Sequence, residues 1–240
     1  MKRTLSFFLA ALLLLSCGVA RSQQLDETPY LTPEEVPNAV VFLPAPPEPG
    51  SSQFLYDLSQ YYWGKEQRKD PERAAKAIRE AVYEVPDMIP QFSAVFGMEI
   101  TPEATPAIYR LLCRGVFTIR MSADAPKAAY MRTRPYAYFN EPTLVPEEEE
   151  DLRTNGSYPS GHTIKAWGMA LLLCEIDPGT QDALFKLAYE WGQSRVIAGY
   201  HWQSDIDASR MLAAACYARL HTCPAFLADL AAAQEEYRKH

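Results

Sequence analysis

Gly156-Ser157-Tyr158-Pro159-Ser160-Gly161-His162-Thr163 opens a run that continues as Ile164-Lys165-Ala166-Trp167-Gly168-Met169-Ala170-Leu171-Leu172-Leu173. Thr163 to Leu173 is long and apolar enough for a buried helix. Pro159 fixes its own φ, and Ser160 is a helix-capping residue placed where the helix would begin. Gly161 allows the backbone to approach a ligand closely. The first-turn amides of such a helix have no intrahelical acceptor and suit an anion, above all a phosphate. His162 would then stand beside that anion, where a proton donor is useful. The plain alternative is a capped helix with a surface histidine.

Helix signals spread outward from this run in both directions. Phe54, Leu55, Leu58, Tyr61 and Tyr62 recur at helical spacing after Ser51-Ser52, and Asp70-Pro71-Glu72 starts a helix continued by Ala74 to Val85. Asp87 to Phe96 reads as a shorter helix stopped by Gly97. Thr101-Pro102-Glu103 opens another, carried by Ile108, Leu111, Leu112 and Val116 towards Ala123. Beyond the central run, Asp177-Pro178-Gly179-Thr180 starts a helix from Gln181 to Ser194-Arg195. Two alanine-rich helices follow, Ala208 to Leu220 and Pro224 to Tyr237. No alternating strand pattern is convincing. The expected fold is all-α, a compact helical bundle-like single domain. Residues 51–240 would form that domain, and an extended Pro-rich arm would occupy residues 23–50. Val40-Val41-Phe42-Leu43 gives the arm something to bury.

Two further stretches carry chemistry-bearing residues. Lys127 is followed after six residues by Arg134-Pro135. Pro135 biases Arg134 away from helix, so the helix carrying Lys127 should end near Arg134, and both cations can point into one pocket. His201 and Asp205 are four apart, which on a helix places them on one face within hydrogen-bonding reach. A carboxylate on one ring nitrogen leaves the other bare and nucleophilic. Each of these has a plain reading as well, two surface cations and a structural His–Asp pair. Pro146-Glu147-Glu148-Glu149-Glu150-Asp151 is an acidic run that reads as a solvated loop; a second reading places it at the pocket mouth, disfavouring polyphosphates.

Met1-Lys2-Arg3 with the apolar run Phe7 to Leu15 reads as an export signal over residues 1–22, too short to span a bilayer. Ala20-Arg21-Ser22 offers one cleavage site. Leu14-Leu15-Ser16-Cys17 resembles a lipoprotein site that would leave Cys17 lipidated, and both options stay open. No later run is long enough to cross a membrane. The formal charge of −7 becomes −10 without residues 1–22, which hold Lys2, Arg3 and Arg21 and no acid. Such a balance argues against nucleic acid and anionic membranes as partners. Apart from Cys17, the remaining cysteines, Cys113, Cys174, Cys216 and Cys223, show no metal-type clustering, and mostly free, buried thiols are expected.

Taken together, Lys127-x6-Arg134-Pro135, then Pro159-Ser160-Gly161-His162, then Ser194-Arg195-x5-His201-x3-Asp205, in this order, resemble the three-part signature of the type 2 phosphatidic acid phosphatase superfamily, which includes the vanadium haloperoxidases. Gly156 to Thr163, and Glu190 through Asp205, look like one branch of it, the bacterial class A non-specific acid phosphatases, as does the arm from Tyr30-Leu31 to the prolines at 44–49. The resemblance implies catalytic roles for His201 as phosphohistidine-forming nucleophile, Asp205 as its orienting partner and His162 as general acid. It implies that Lys127, Arg134, Arg195, Ser160 and the Gly161 backbone bind the phosphoryl oxygens, with no metal and no cofactor. Those roles agree with phosphoryl-transfer physics, which asks for charge neutralisation and in-line positioning. The expectation is a periplasmic, metal-independent phosphatase of small phosphate monoesters, free or lipid-anchored. It would be inhibited by vanadate, able to transfer phosphate to alcohols, and a dimer or larger. The rivals are an envelope lipid phosphatase or pyrophosphatase, a nucleotide-cleaving apyrase, a vanadate-dependent haloperoxidase and a non-enzymatic envelope protein.

Overall fold

The computed structural model describes residues 28–240, so the export-signal reading of residues 1–22 and Cys17 lie outside the described residues. Among the described residues every regular element is helical. In chain order they are α1 (Ala39–Phe42), α2 (Ser52–Gln67), α3 (Pro71–Arg79), α4 (Val85–Phe96), α5 (Pro106–Met121), α6 (Asp124–Tyr130), α7 (Pro135–Phe139), α8 (Glu149–Leu152), α9 (Gly161–Ile176), α10 (Gln181–Ala198), α11 (Gln203–Leu220) and α12 (Pro224–Tyr237). No described helix is long and apolar enough to cross a membrane.

The central run is α9, and it lies at the centre of the molecule. Its sequence is apolar on every face, so it can be stable only if surrounded. It packs against α5, α10 and α11, while α12 covers α5, and α2 and α3 cover α10. Ile164, Met169, Leu172 and Leu173 on α9, with Leu111, Leu112 and Ile119 on α5, are fully or almost fully buried in one continuous core. Each such side chain contributes about 1.5–3 kcal/mol of transfer free energy. Close approach of α5 depends on Gly115: a Cβ there would stand 2.8 Å from Leu172 Cδ1.

Several element boundaries differ from the sequence expectation, each through a proline or a cap. The helix from Pro71 stops at Arg79 and does not run to Val85, because Pro86 has no N–H to give Val82 O and its ring would clash with that carbonyl, so Pro86 instead occupies the first turn of α4. Residues 80–84 therefore form a loop, and that loop reaches the site described below. Residues 101–104 form only a turn. Pro106 pushes Thr105 out of the helical region, and α5 starts there. The arm is anchored through Tyr30, whose hydroxyl donates to Asp229 Oδ2 at 2.8 Å and whose amide donates to Thr118 Oγ1 at 2.9 Å. Val40-Val41-Phe42-Leu43 does not form a buried extended segment. Asn38 caps the short α1, leaving Val41 82% and Phe42 48% exposed. None of the four cysteines beyond Cys17 forms a disulfide among the described residues; Cys113 and Cys216 are buried, Cys174 and Cys223 partly so.

Candidate active site

A cavity of about 340 Å³ opens at the N-terminal end of α9. Lys127, Arg134, Gly161, His162, Arg195 and His201 line it, six of the eight sequence-predicted residues, drawn from separate helices and loops. Asp205 and Ser160 stand behind this lining. The Ser160 hydroxyl is fully buried as the cap of α9, accepting from Thr163 N at 3.3 Å and Thr163 Oγ1 at 3.1 Å. At Gly161 an added Cβ would lie 3.1 Å from the Tyr83 hydroxyl, so glycine there makes room for a wall of the cavity. The first-turn amides of Gly161 and His162 need no intrahelical partner and lie at the cavity's edge.

Lys127 and Arg134 are held by backbone carbonyls, and Arg195 faces one carboxylate only at the outer limit of an ion pair. Lys127, on α6, donates to Gly156 O at 2.5 Å. Gly156 allows this approach, since a Cβ there would come within 3.0 Å of Lys127 O and Met131 Cα. Arg134 precedes α7 in extended backbone, as Pro135 requires. Its Nε donates to Leu152 O and Asn155 O at 3.1 and 3.0 Å. Arg195, in the last turn of α10, is fully buried, and none of its three guanidinium nitrogens has a hydrogen-bond partner among the described residues. Its nearest carboxylate is Glu148 Oε2 at 3.9 Å. Leaving such donors unpaired is costly, about 1–3 kcal/mol or more for charged groups. The site is therefore built for an anion. Burial, with Arg134 nearby, pulls the Lys127 ammonium down to about 7, and burial pulls Arg195 down to about 10.

The two histidines are fixed in opposite tautomers by their neighbours. Arg134 Nη1 lies 3.3 Å from His201 Nε2. A guanidinium only donates, so Nε2 must be the bare nitrogen and Nδ1 the protonated one. Nδ1 faces Asp205 Oδ2 at 3.3 Å. His162 Nε2 lies 2.9 Å from Ala81 O, and a carbonyl only accepts, so this nitrogen carries the proton and Nδ1 is bare. Burial pushes both rings well below their ordinary protonation range. For His162 the Arg195 charge adds to this; for His201, Arg134, Lys127 and Arg195 add to it.

The His201–Asp205 pair forms, but not on one helix face. Helix α11 starts only at Gln203, with Trp202 as its cap, so His201 lies ahead of the helix. Asp205 sits at the third helical position and turns back: Oδ2 accepts from Trp202 N at 2.9 Å and from His201. The four-residue spacing is right for a helix entrance, where an acidic residue three positions after the cap reaches back to it.

Sequence reasoning did not single out Tyr83, Arg120 or Asn155, which also line the cavity. Tyr83 and Ala81 sit in the loop ahead of Pro86, and Pro86 is the sequence signal for that loop. Arg120 donates to the Tyr83 hydroxyl at 2.8 Å. Of the acidic run, Glu148 and Asp151 line the cavity, and burial raises the Glu148 carboxyl above its usual range. The run is a 3-10 turn leading into α8, with Glu147, Glu150 and Asp151 exposed to solvent as the sequence suggests.

Comparison with known proteins adds a family to this geometry. The sequence profile described as the PAP2 superfamily matches residues 108–228. A non-specific acid phosphatase of Providencia stuartii is 40% identical over 211 residues, covering 88% of this chain and 85% of that protein. One of Salmonella typhimurium is 41% identical over 210 residues, covering 87% and 83%. One of Salmonella typhi is 40% identical over 238 residues, covering 98% and 92%.

Proposed function

The chain belongs to the PAP2 superfamily, and we propose that it is an acid phosphatase hydrolysing phosphate monoesters through a phosphohistidine at His201. The observation that carries this reading is the bare Nε2 of His201, set in a cavity with the unpaired guanidinium of Arg195. Lys127, Arg134, Arg195 and the Gly161 amide hold the phosphoryl oxygens. Nε2 attacks phosphorus, the N–P bond forms, and the P–O bond to the leaving alcohol breaks. His162, protonated once the substrate's negative charge raises its affinity for a proton, gives that proton to the leaving oxygen. Water then attacks phosphorus, its proton passes to His162, the N–P bond breaks, and inorganic phosphate leaves. An alcohol in place of water would make the same site a phosphotransferase.

The cations supply charge that metal ions supply in other phosphoryl-transfer enzymes, so activity should not require a divalent metal. The wall carboxylates Glu148 and Asp151 favour monoesters over nucleotides and other polyphosphates by charge repulsion. Export to the periplasm rests on residues 1–22 alone, and assembly as a dimer or larger rests on the resemblance. The test is hydrolysis of an aryl phosphate from acid to neutral pH, first with EDTA and then with vanadate. Activity that survives EDTA and falls with vanadate, a mimic of the five-coordinate transition state, supports the reading. Folded protein without activity, or activity abolished by EDTA and restored by a divalent ion, would overturn it.

A further inference from the structure

Behind His201 lies a buried chain of charges that none of the sequence motifs includes. Asp205 Oδ1, the oxygen turned away from the ring, accepts from Arg132 Nη1 at 2.6 Å. The same guanidinium's Nη2 donates to Asp57 Oδ2 at 2.7 Å. Asp57 is on α2, is fully buried, and is held in turn by Ser204 N at 2.8 Å and Ser204 Oγ at 2.7 Å. Ser204 Oγ also accepts from Arg132 at 2.8 Å. The Arg132 side chain is only 8% exposed, and its guanidinium lies 5.5 Å from the Trp202 ring centroid. One guanidinium therefore bridges two fully buried carboxylates, and the bridge is closed by Ser204, the residue immediately before Asp205.

We propose that Asp57 and Arg132 are positioning residues for the nucleophile: the bridge fixes the Asp205 carboxylate against His201 Nδ1 and leaves one net negative charge behind the ring. Arg132 alone would hold Asp205 but cancel its charge. Asp57 restores a negative total while sharing the same cation. A phosphorylated imidazole that keeps its Nδ1 proton is cationic, so a negative charge behind it stabilises the intermediate. A net neutral pair would not. The charged and titratable groups that share the cavity with His201 are Tyr83 ahead of α4, Arg120 on α5, Lys127 on α6, Arg134 ahead of α7, Glu148 and Asp151 at α8, His162 on α9 and Arg195 on α10. The cations among them oppose a positive ring, and Asp205 is the carboxylate at hydrogen-bonding distance from it, so its bridge supplies the nearest favourable charge. The kinetic part of this proposal rests on the phosphohistidine reading; the geometric part does not.

Asp57→Asn keeps the shape and removes the charge. Steady-state kinetics on an aryl phosphate and a ¹⁵N NMR titration of the His201 ring test it, with thermal unfolding as the control for folding. The expected result is a kcat lower by about tenfold to a hundredfold, the range seen when an outer partner of a metal-bound histidine is removed, taken over here by analogy. KM should hold, while the acid limb of the pH–rate profile and the His201 titration both move to lower pH. Arg132→Lys should recover part of the activity lost in Arg132→Met. Wild-type kcat and an unmoved titration in folded Asp57→Asn would overturn the proposal, and so would a lower kcat with the titration unmoved, the mark of a merely structural role. If Asp57→Asn does not fold, Arg132→Lys decides: kcat must fall with KM kept, and wild-type kcat refutes it. A wild-type protein inactive on phosphate esters would sink the functional reading, and the NMR titration would still decide this one.

Discussion

At the scale of single residues, one side-chain type does two jobs because two neighbours differ in what they can donate. Arg134 leaves His201 Nε2 bare, while the Ala81 carbonyl accepts a hydrogen bond from His162 Nε2–H and leaves Nδ1 to receive a proton. The assignment of His162 as acid makes a prediction that depends on the leaving group. His162→Ala should cost about 10²–10⁴-fold in kcat on alkyl phosphates, the range of general-acid catalysis, and far less on an aryl phosphate whose leaving oxygen needs little help. Equal losses on both, measured by steady-state kinetics, would contradict the role. The motif residues and their spacing were legible in the sequence because side chains carry that chemistry. The tautomer of His162 was not, because it depends on a carbonyl in the 80–84 loop, whereas the bare nitrogen of His201 followed from its pairing with Asp205. Nor was Asp57, which meets Ser204 across 147 residues with no local pattern to mark it.

At the scale of elements, the apolar run of α9 and the Pro and Gly punctuation made the helical architecture readable. The misplaced boundaries have a common cause. After Thr101-Pro102 a second proline, Pro106, set the real start of α5, and Pro86 ended the run expected to reach Val85 and sits in the first turn of α4. The His201–Asp205 spacing had two geometric solutions, a helix face or a helix entrance, and sequence period does not separate them. The packing of α5 on α9 carries a quantitative prediction. Gly115→Ala overfills the contact with Leu172 and should destabilise by about 1–3 kcal/mol. Leu172→Ala should cost about 2–5 kcal/mol through the cavity it leaves. Because the two sites touch, the double variant should lose less than the sum in urea unfolding. Strict additivity would mean that the two helices do not meet at this pair.

At the scale of the whole molecule, an acidic protein of formal charge −7 gathers cations in one cavity. This has a cost in stability that depends on pH. His162 and His201 are neutral in the folded, empty protein at pH values where an unfolded chain, with histidine titrating near about 6.5, has begun to protonate. Unfolding then takes up protons, so stability falls as pH drops below about 6.5. An anion reverses the sign locally. It favours the charged forms of His162 and of Lys127, the latter held down to about 7 when the site is empty. The gain in Tm on adding vanadate should therefore be larger at acid than at alkaline pH, as read by thermal unfolding. A gain that is constant or grows with pH would contradict this electrostatic account.

The claim on which the rest depends is the covalent step at one nitrogen of one histidine. The direct measurement is to quench the enzyme in alkali during turnover of an aryl phosphate, digest it, and map the phosphoryl group by mass spectrometry and ³¹P NMR. The account predicts an acid-labile phosphoramidate on Nε2 of His201, absent from His201→Ala, which should also have no turnover. Phosphate on Nδ1 or on another residue, or full turnover by His201→Ala, would contradict it.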